Sequence, residues 1–263
     1  MMAAGIEAMS VFGGTAYLDV MQWAQQCQLD TTRFENLLMK EKAVALPHED
    51  PVTCGVNAAK ARVIASDISR FMVAEGGDVL TMDWSYAEPS SGAGAVAILV
   101  SGNPYVFQVD VGANGYYGYE VMDTCRPLPD SEAGDADLSL LSYLDCCEQA
   151  FLEYQKRVSG VDYRETFGYL TFHTPFGGMV KGAHRTMMRK MAGAKPAEIE
   201  ADFQKRVTPG LKYCQRVGNI MGGTVFLSLA STIDYGQFDT PQRVGCFSYG
   251  SGCCSEFDRA AAL

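Results

Sequence analysis

No apolar run in this 263-residue chain reaches the roughly 18 residues that a bilayer span needs, and no basic stretch leads into an apolar core at its N-terminus. A membrane-spanning helix is therefore excluded, and a soluble, cytoplasmic protein is expected. There is no CxxC pair and no Cys/His spacing of the zinc type, so neither structural zinc nor another metal is expected. No long Lys/Arg run offsets the net charge of −10, which argues against nucleic acid as a partner. What is present is a globular composition, 48% apolar and 20% charged, in a chain long enough for one or two domains with a sizeable core. The nine cysteines are odd in number and include two adjacent pairs, Cys146-Cys147 and Cys253-Cys254, so they read mainly as reduced, buried apolar residues.

Periodicity gives a coarse element map. Residues 15–27 space Tyr17, Val20, Met21 and Ala24 as a helix, and 31–41 read as a second short one. ARVIASDI (61–68) and AGAVAILV (93–100) read as buried strands, with an irregular Gly-, Pro- and Ser-containing excursion between them. From Leu138 to Val158 the positions 140, 144, 147, 151, 154 and 158 share one helical face. The strand FGYLTFH ends at His173, residues 179–192 form a helix, and Pro196 opens the next. TVFLSLASTI is an apolar helix, and RVGCFSYGSG is a strand entering a Gly/Ser turn. Strands alternating with helices define an α/β fold, and DSEAGDAD (130–137) divides it into halves, 1–130 and 131–263.

Several residues could carry chemistry, each beside a plainer role. His173 lies at a strand's C-terminal edge, where open α/β sheets bind ligands, although a single His is as often a hydrogen-bonded structural residue. His48 and His184 stand in polar surroundings and carry no catalytic role. Asn219 precedes a buried helix, so it either caps that helix or aims an amide at a carbonyl oxygen. The SYGSG turn, Ser248 to Gly252, is either a tight turn or a site where N–H groups and Ser251 meet a thioester. Asp67 and Asp123 sit at strand ends, where a carboxylate commonly accepts turn hydrogen bonds. No nucleophile stands out: Cys54 has no basic neighbour, and the paired cysteines fall on a helix face and after a turn.

Taken together, FHTPFGGMVKGAHR, VGNIMGGT and FSYGSG resemble, in order and context, the 3-hydroxy-3-methylglutaryl-CoA (HMG-CoA) synthase family of thiolase-like condensing enzymes. GIEAMSVFGGTAYLDV, RFENLLMKEKAVALPHEDPVT and DISRFMVAEGGD resemble its members that act on acyl carrier proteins in polyketide β-branching. The resemblance spans nearly the whole chain. It implies a thiolase-like duplicated fold and a Claisen-type condensation of an acetyl unit onto a β-ketoacyl thioester. It also implies CoA or phosphopantetheine thioesters as substrates, no permanently bound cofactor, and a homodimer as one possible assembly.

By the same resemblance, His173 polarises the acceptor carbonyl, Asn219 hydrogen-bonds the acceptor, and Ser248 and Ser251 belong to the turn at the substrate. Asp67 and Asp123 match acidic residues near the site, Ser139 a serine on the cofactor path, and Asp30, Thr31 and Arg33 a segment that meets the pantetheine arm. His173 and Asn219 are then expected to converge on one pocket. One departure is large: NAAK (57–60) runs directly into ARVIASDI, where the family carries its Cys nucleophile and Glu base, so the first half is incomplete and the chain is also shortened after SYGSGCCSEF. The expected consequence is impaired condensation and stability. A non-catalytic remnant that binds a carrier protein or subunit is the competing reading, and a block lost in gene prediction is a third. Because carrier proteins are acidic, Lys181, Arg185, Arg189 and Lys190 along one helix side offer either a docking patch or an ordinary solvated face.

Overall fold

The structure, a computed structural model, describes residues 4–47, 49–60, 71–76, 89–128 and 131–262. Asp67 and the rest of ARVIASDI, the junction after Lys60, and His48 lie outside the described residues. The chain begins with β1 (Gly5–Phe12) and β2 (Ala16–Asp19), then α1 (Val20–Gln26), α2 (Thr31–Glu35), β3 (Glu41–Val44) and α3 (Pro51–Lys60). Strands β4 (Phe71–Gly76), β5 (Gly94–Ser101), β6 (Phe107–Gly118), β7 (Thr124–Leu128) and β8 (Ser131–Gly134) follow. The remainder alternates: α4 (Ala136–Arg157), β9 (Tyr169–Phe172), α5 (Gly177–Ala192), α6 (Pro196–Asp202), a π-helical turn (Phe203–Val207), α7 (Thr208–Val217), a 3₁₀ turn (Met221–Gly223), α8 (Thr224–Tyr235), β10 (Gln242–Gly250) and β11 (Cys254–Ala262).

Seven strands join in one sheet of order β4-β5-β1-β6-β11-β10-β9, so strands from both sequence halves share it. Among the described strands of this sheet, β9–β10 is the one parallel pairing and the rest are antiparallel. One face of its β6–β11–β10–β9 end packs under α4 and α5 through Phe151, Tyr154, Phe172, Phe247 and Phe257. Phe257 meets Phe151, Tyr154 and Phe167 at ring separations of 5.1, 5.3 and 5.5 Å, so this layer is an aromatic cluster. The opposite face meets α8, whose residues 227–232 are all buried, through Val244, Ala260 and Ala262.

The long helix was legible because its apolar spacing matches its burial. Asp135 caps α4 by accepting from Asp137 and Leu138 N–H, both at 2.9 Å, and Lys156 and Arg157 complement its C-terminal dipole. The expected helix over 15–27 is corrected. Ala16–Asp19 pairs as a strand with Glu41–Val44, and the helix starts only at Val20 because Asp19 caps it through Gln22 N–H. The helix read over 31–41 ends at Glu35, and Glu41 already belongs to β3.

Candidate active site

Strand alternation builds the site. In the parallel β9–β10 pairing Phe172 lies beside Phe247, and the His173 N–H donates to Phe247 O at 2.7 Å, which sets His173 beside Ser248. Ser248 is opposite Glu256 on β11, and Glu256 is opposite Tyr116 on β6. One row therefore carries His173, Ser248, Glu256 and Tyr116 across four strands, while the row offset by one residue carries Phe172, Phe247, Phe257 and Gly115 into the aromatic core. The polar row opens into a cleft of about 410 Å³ whose wall also includes Gly222, Val225, Phe226 and Cys254.

His173 is only 9% exposed, and burial pulls its pKa down to about 4, so the imidazole is neutral near pH 7. Its carbonyl accepts the Tyr143 hydroxyl at 2.7 Å, which pins the strand end. Neutral imidazole offers one N–H donor and one acceptor, which suits hydrogen bonding to a carbonyl oxygen. Glu256 Oε1 accepts from Asn114 Nδ2 at 3.0 Å. Beyond it along β11, Asp258 has its pKa raised to about 7, first by burial and then by the charge of Glu256.

Asp123 is fully buried and acts at one remove. Its two oxygens accept from the Tyr249 hydroxyl at 2.8 Å and from Gly252 N–H at 2.9 Å, so it positions a cleft-lining tyrosine and the Gly/Ser turn. Burial, followed by the Asp123 contact, raises the Tyr249 pKa and keeps its hydroxyl protonated as the donor. Ser251 is exposed in that turn and stands outside the cleft lining, whereas Ser248 lines it.

Asn219 sits where two backbones cross. Gly218, at φ 90°, approaches Gly92 so closely that a Cβ would lie 3.1 Å from the Gly92 Cα, and a Cβ on Gly92 would lie 1.9 Å from Val217 O. This crossing gives Asn219 N–H to Ser90 O at 2.7 Å and Gly92 N–H to Asn219 O at 2.9 Å. Asn219 Oδ1 accepts from Met221 N–H and Thr224 Oγ1, both at 2.9 Å, so it braces the 3₁₀ turn that leads into α8, whose own N-cap is Gly223 with no side-chain cap. Its Nδ2 meets Met221 Sδ at 3.8 Å. Asn219 does not line the His173 cleft; Gly222, three residues later, does.

The remaining sequence candidates lie elsewhere. Asp30 is the N-cap of α2, accepting from Thr32 N–H at 3.0 Å, and Thr31 opens that helix; the Arg33 side chain is not among those described. Residues 36–38 touch the first turn of α5, with Gly178 N–H donating to Leu37 O at 3.3 Å. Ser139 is half-buried in the first turn of α4, and neither it nor Thr31 lines the cleft. The basic side of α5 is only partly available. Lys181 pairs with Glu200 at 2.9 Å and Lys190 with Glu148, while Arg185 and Arg189 are exposed and make no ion pair among the described residues.

Burial adds detail to two sequence readings. His184 is fully buried, with polar partners at both ring nitrogens: Nε2 lies 2.9 Å from Asp202 and Nδ1 3.2 Å from the Tyr163 hydroxyl. Cys254 is exposed at the cleft wall, unlike the buried Cys54, Cys146, Cys147, Cys214 and Cys253. A larger cleft of about 1130 Å³ lies at the other end of β9 and β10, by Tyr169 and Gln242. Its Arg206 is tied to Asp202 at 2.7 Å, and it holds none of the candidates above.

Helices on both faces of a mixed sheet, with a polar strip at one strand end, define an α/β protein with a ligand cleft, and comparison with known proteins identifies the fold as thiolase-like. Residues 183–259 match the family described as hydroxymethylglutaryl-coenzyme A synthase C terminal. The chain is 60% identical to the polyketide biosynthesis 3-hydroxy-3-methylglutaryl-ACP synthase PksG of Bacillus subtilis, over 98% of this chain and 80% of that protein. The solved PksG structure superposes with a TM-score of 0.94 at 57% identity, covering 100% of this chain and 81% of that one. The curacin-pathway HMG synthase, solved in complex with an apo donor acyl carrier protein, superposes at 0.93 with 53% identity, covering 99% of this chain and 80% of that one. The chain belongs to the hydroxymethylglutaryl-CoA synthase family. Its alignment with PksG runs over 334 positions, more than the 263 residues present, so it passes over residues of PksG that have no counterpart here.

Proposed function

We propose that this chain binds a β-ketoacyl thioester in the His173 cleft, as the acceptor site of an HMG-acyl-carrier-protein synthase acting in polyketide β-branching. The observation that carries the reading is the row His173–Ser248–Glu256–Tyr116, which lines a cleft beside the first turn of α8. A neutral His173 N–H donates to the keto oxygen, and Tyr249, fixed by Asp123, closes the wall beside it. The pantetheine arm of CoA or of a carrier protein supplies the thioester.

Full condensation, an acetyl-derived carbanion attacking the keto carbon, needs an acetyl thioester on Cys and a base for its α-proton. By the resemblance, the family segment with both is absent between Lys60 and Ala61, and the proposed reading is therefore a chain impaired in acyl transfer that retains acceptor binding. The chain should not acquire a stable acetyl group from acetyl-CoA or acetyl-carrier protein. Intact-protein mass spectrometry checks this, and an acetyl adduct mapped to Cys54, Cys253 or Cys254 would overturn the impaired reading.

The binding-remnant reading shares the carrier protein as partner, and the relative solved with a donor carrier protein supports that partner. Docking centres on exposed Arg185 and Arg189, with the neighbouring 30–38 segment beside the start of α5. Calorimetric titration with an acetoacetyl carrier protein tests it. Binding should weaken as salt rises and should weaken further in Arg185→Glu/Arg189→Glu, with acetoacetyl-CoA affinity little changed. Carrier binding unaffected by the double change would remove α5 from the docking surface.

A further inference from the structure

We propose that Glu256 is an acid–base residue of the His173 cleft and that the chain therefore enolises β-ketoacyl thioesters, exchanging their C2 protons with solvent. The inference rests on the acceptor site proposed above and adds an activity that needs no cysteine nucleophile. Its basis is position. Glu256 and His173 lie on the same sheet face, separated only by Ser248 on the strand between them, and both line the cleft. At the usual strand spacing their backbones stand about 10 Å apart, room for a small acyl group between the two side chains.

Glu256 is the carboxylate of this lining, and its setting is built rather than incidental. Asn114 holds Oε1 at 3.0 Å, and Tyr116 stands opposite on β6. Asp258 lies on the same face, paired with Cys246 and Asn114 in the next row, and retains a proton to about pH 7 beside the Glu256 charge. A carboxylate at one end of an acyl cleft and a neutral N–H donor at the other make the pairing an enolisation requires: a base at carbon and a donor at oxygen.

The step balances within the site. The Glu256 carboxylate takes one C2 proton, the C–H electron pair becomes the C2–C3 double bond, and the keto π pair moves to oxygen. The oxyanion is held by the His173 N–H. Return of a proton from Glu256 to C2 restores the ketone, and in D₂O the carboxyl exchanges with solvent first, so deuterium is incorporated with no net reaction.

Proton NMR of acetoacetyl-CoA in D₂O reads the loss of its C2 methylene signal against the buffer rate. The chain is expected to accelerate exchange about 100-fold or more, the low end of general-base effects. Glu256→Gln should bring the rate to within about 2-fold of buffer, with loss of affinity far smaller than in His173→Ala. Glu256→Asp, which shortens the reach by one methylene, should fall between, and near-UV circular dichroism establishes that each variant is folded. Exchange as fast in Glu256→Gln as in the unaltered chain overturns the proposal while leaving the acceptor site standing. Saturable binding with exchange no faster than buffer does the same. Absence of any acetoacetyl-CoA binding overturns both this proposal and the acceptor site.

Discussion

Two adjacent rows of the same four strands meet opposite fates. Phe172, Phe247 and Phe257 are each 1% exposed or less and enter an aromatic layer beneath α4, whereas His173, Ser248, Glu256 and Tyr116, one residue further along each pairing, line an open cleft. The backbone hydrogen bonds are common to both; only the direction of the side chains differs. The aromatic row thus stabilises the strands that hold the polar row in register, and the polar row need contribute little to stability. A shift of one residue would exchange core for cleft, so the register of β9, β10 and β11 is itself a determinant of the site.

The largest expected effect breaks the aromatic side. Phe257→Ala should cost about 3–5 kcal/mol in urea denaturation because it removes a buried ring from contact with Phe151, Tyr154 and Phe167. Glu256→Gln, its sequence neighbour, should change stability by less than about 1 kcal/mol. Comparable losses for the two would contradict the division of labour. Asp123→Asn weakens two charge-assisted hydrogen bonds, to Tyr249 and Gly252, and should cost about 2 kcal/mol with weaker acetoacetyl-CoA binding. Unchanged ligand affinity in a folded Asp123→Asn protein would detach the turn from the site.

The polar row also predicts a pH dependence. The Asp258 pKa is raised from 3.8 to about 7, so the folded state binds more protons than the unfolded one between those values. This group therefore destabilises the chain progressively as pH rises through that window. Asp258→Asn should gain on the unaltered protein from about pH 4, reaching an advantage of about 2 kcal/mol above pH 7, as read from denaturant melts at several pH values. His173, lowered from 6.5 to about 4, has the opposite slope: stability is gained as pH rises across that interval. A constant offset for Asp258→Asn at all pH values would contradict the half-buried carboxyl pair. A small effect, about 1 kcal/mol in denaturant melts, is expected for Tyr143→Phe, because it removes only the hydroxyl that donates to His173 O.

Where burial follows a simple period, the sequence was readable. α4, α5, α8, β9 and β10 lie close to where apolar spacing puts them. β6 and β11 were not read, for opposite reasons: β6 carries Gly112, Asn114 and Gly115 in its interior, and β11 ends in three alanines, which favour helix locally. Pairing of these strands with each other overrides both preferences. Missing β11 meant missing Glu256 and Asp258, although Ser255 and Phe257 alternate with them and could have marked the strand. His173 was legible because it ends a strand. Asp123 was legible as a turn acceptor, but its partners Tyr249 and Gly252 lie more than 120 positions away and only folding joins them. The basic side of α5 was legible as charge, whereas the pairing of Lys181 and Lys190 with Glu200 and Glu148 depends on neighbouring helices.

The central claim, that the polar row is an acyl-thioester site with His173 as its carbonyl donor, is tested most directly by ¹³C NMR of acetoacetyl-CoA labelled at the keto carbon. Titration with the chain should give a saturable downfield shift of that carbon, as expected for a carbonyl accepting a fixed hydrogen bond, and folded His173→Ala should abolish it. An identical shift in His173→Ala, or no saturable shift with the unaltered chain, would contradict the account.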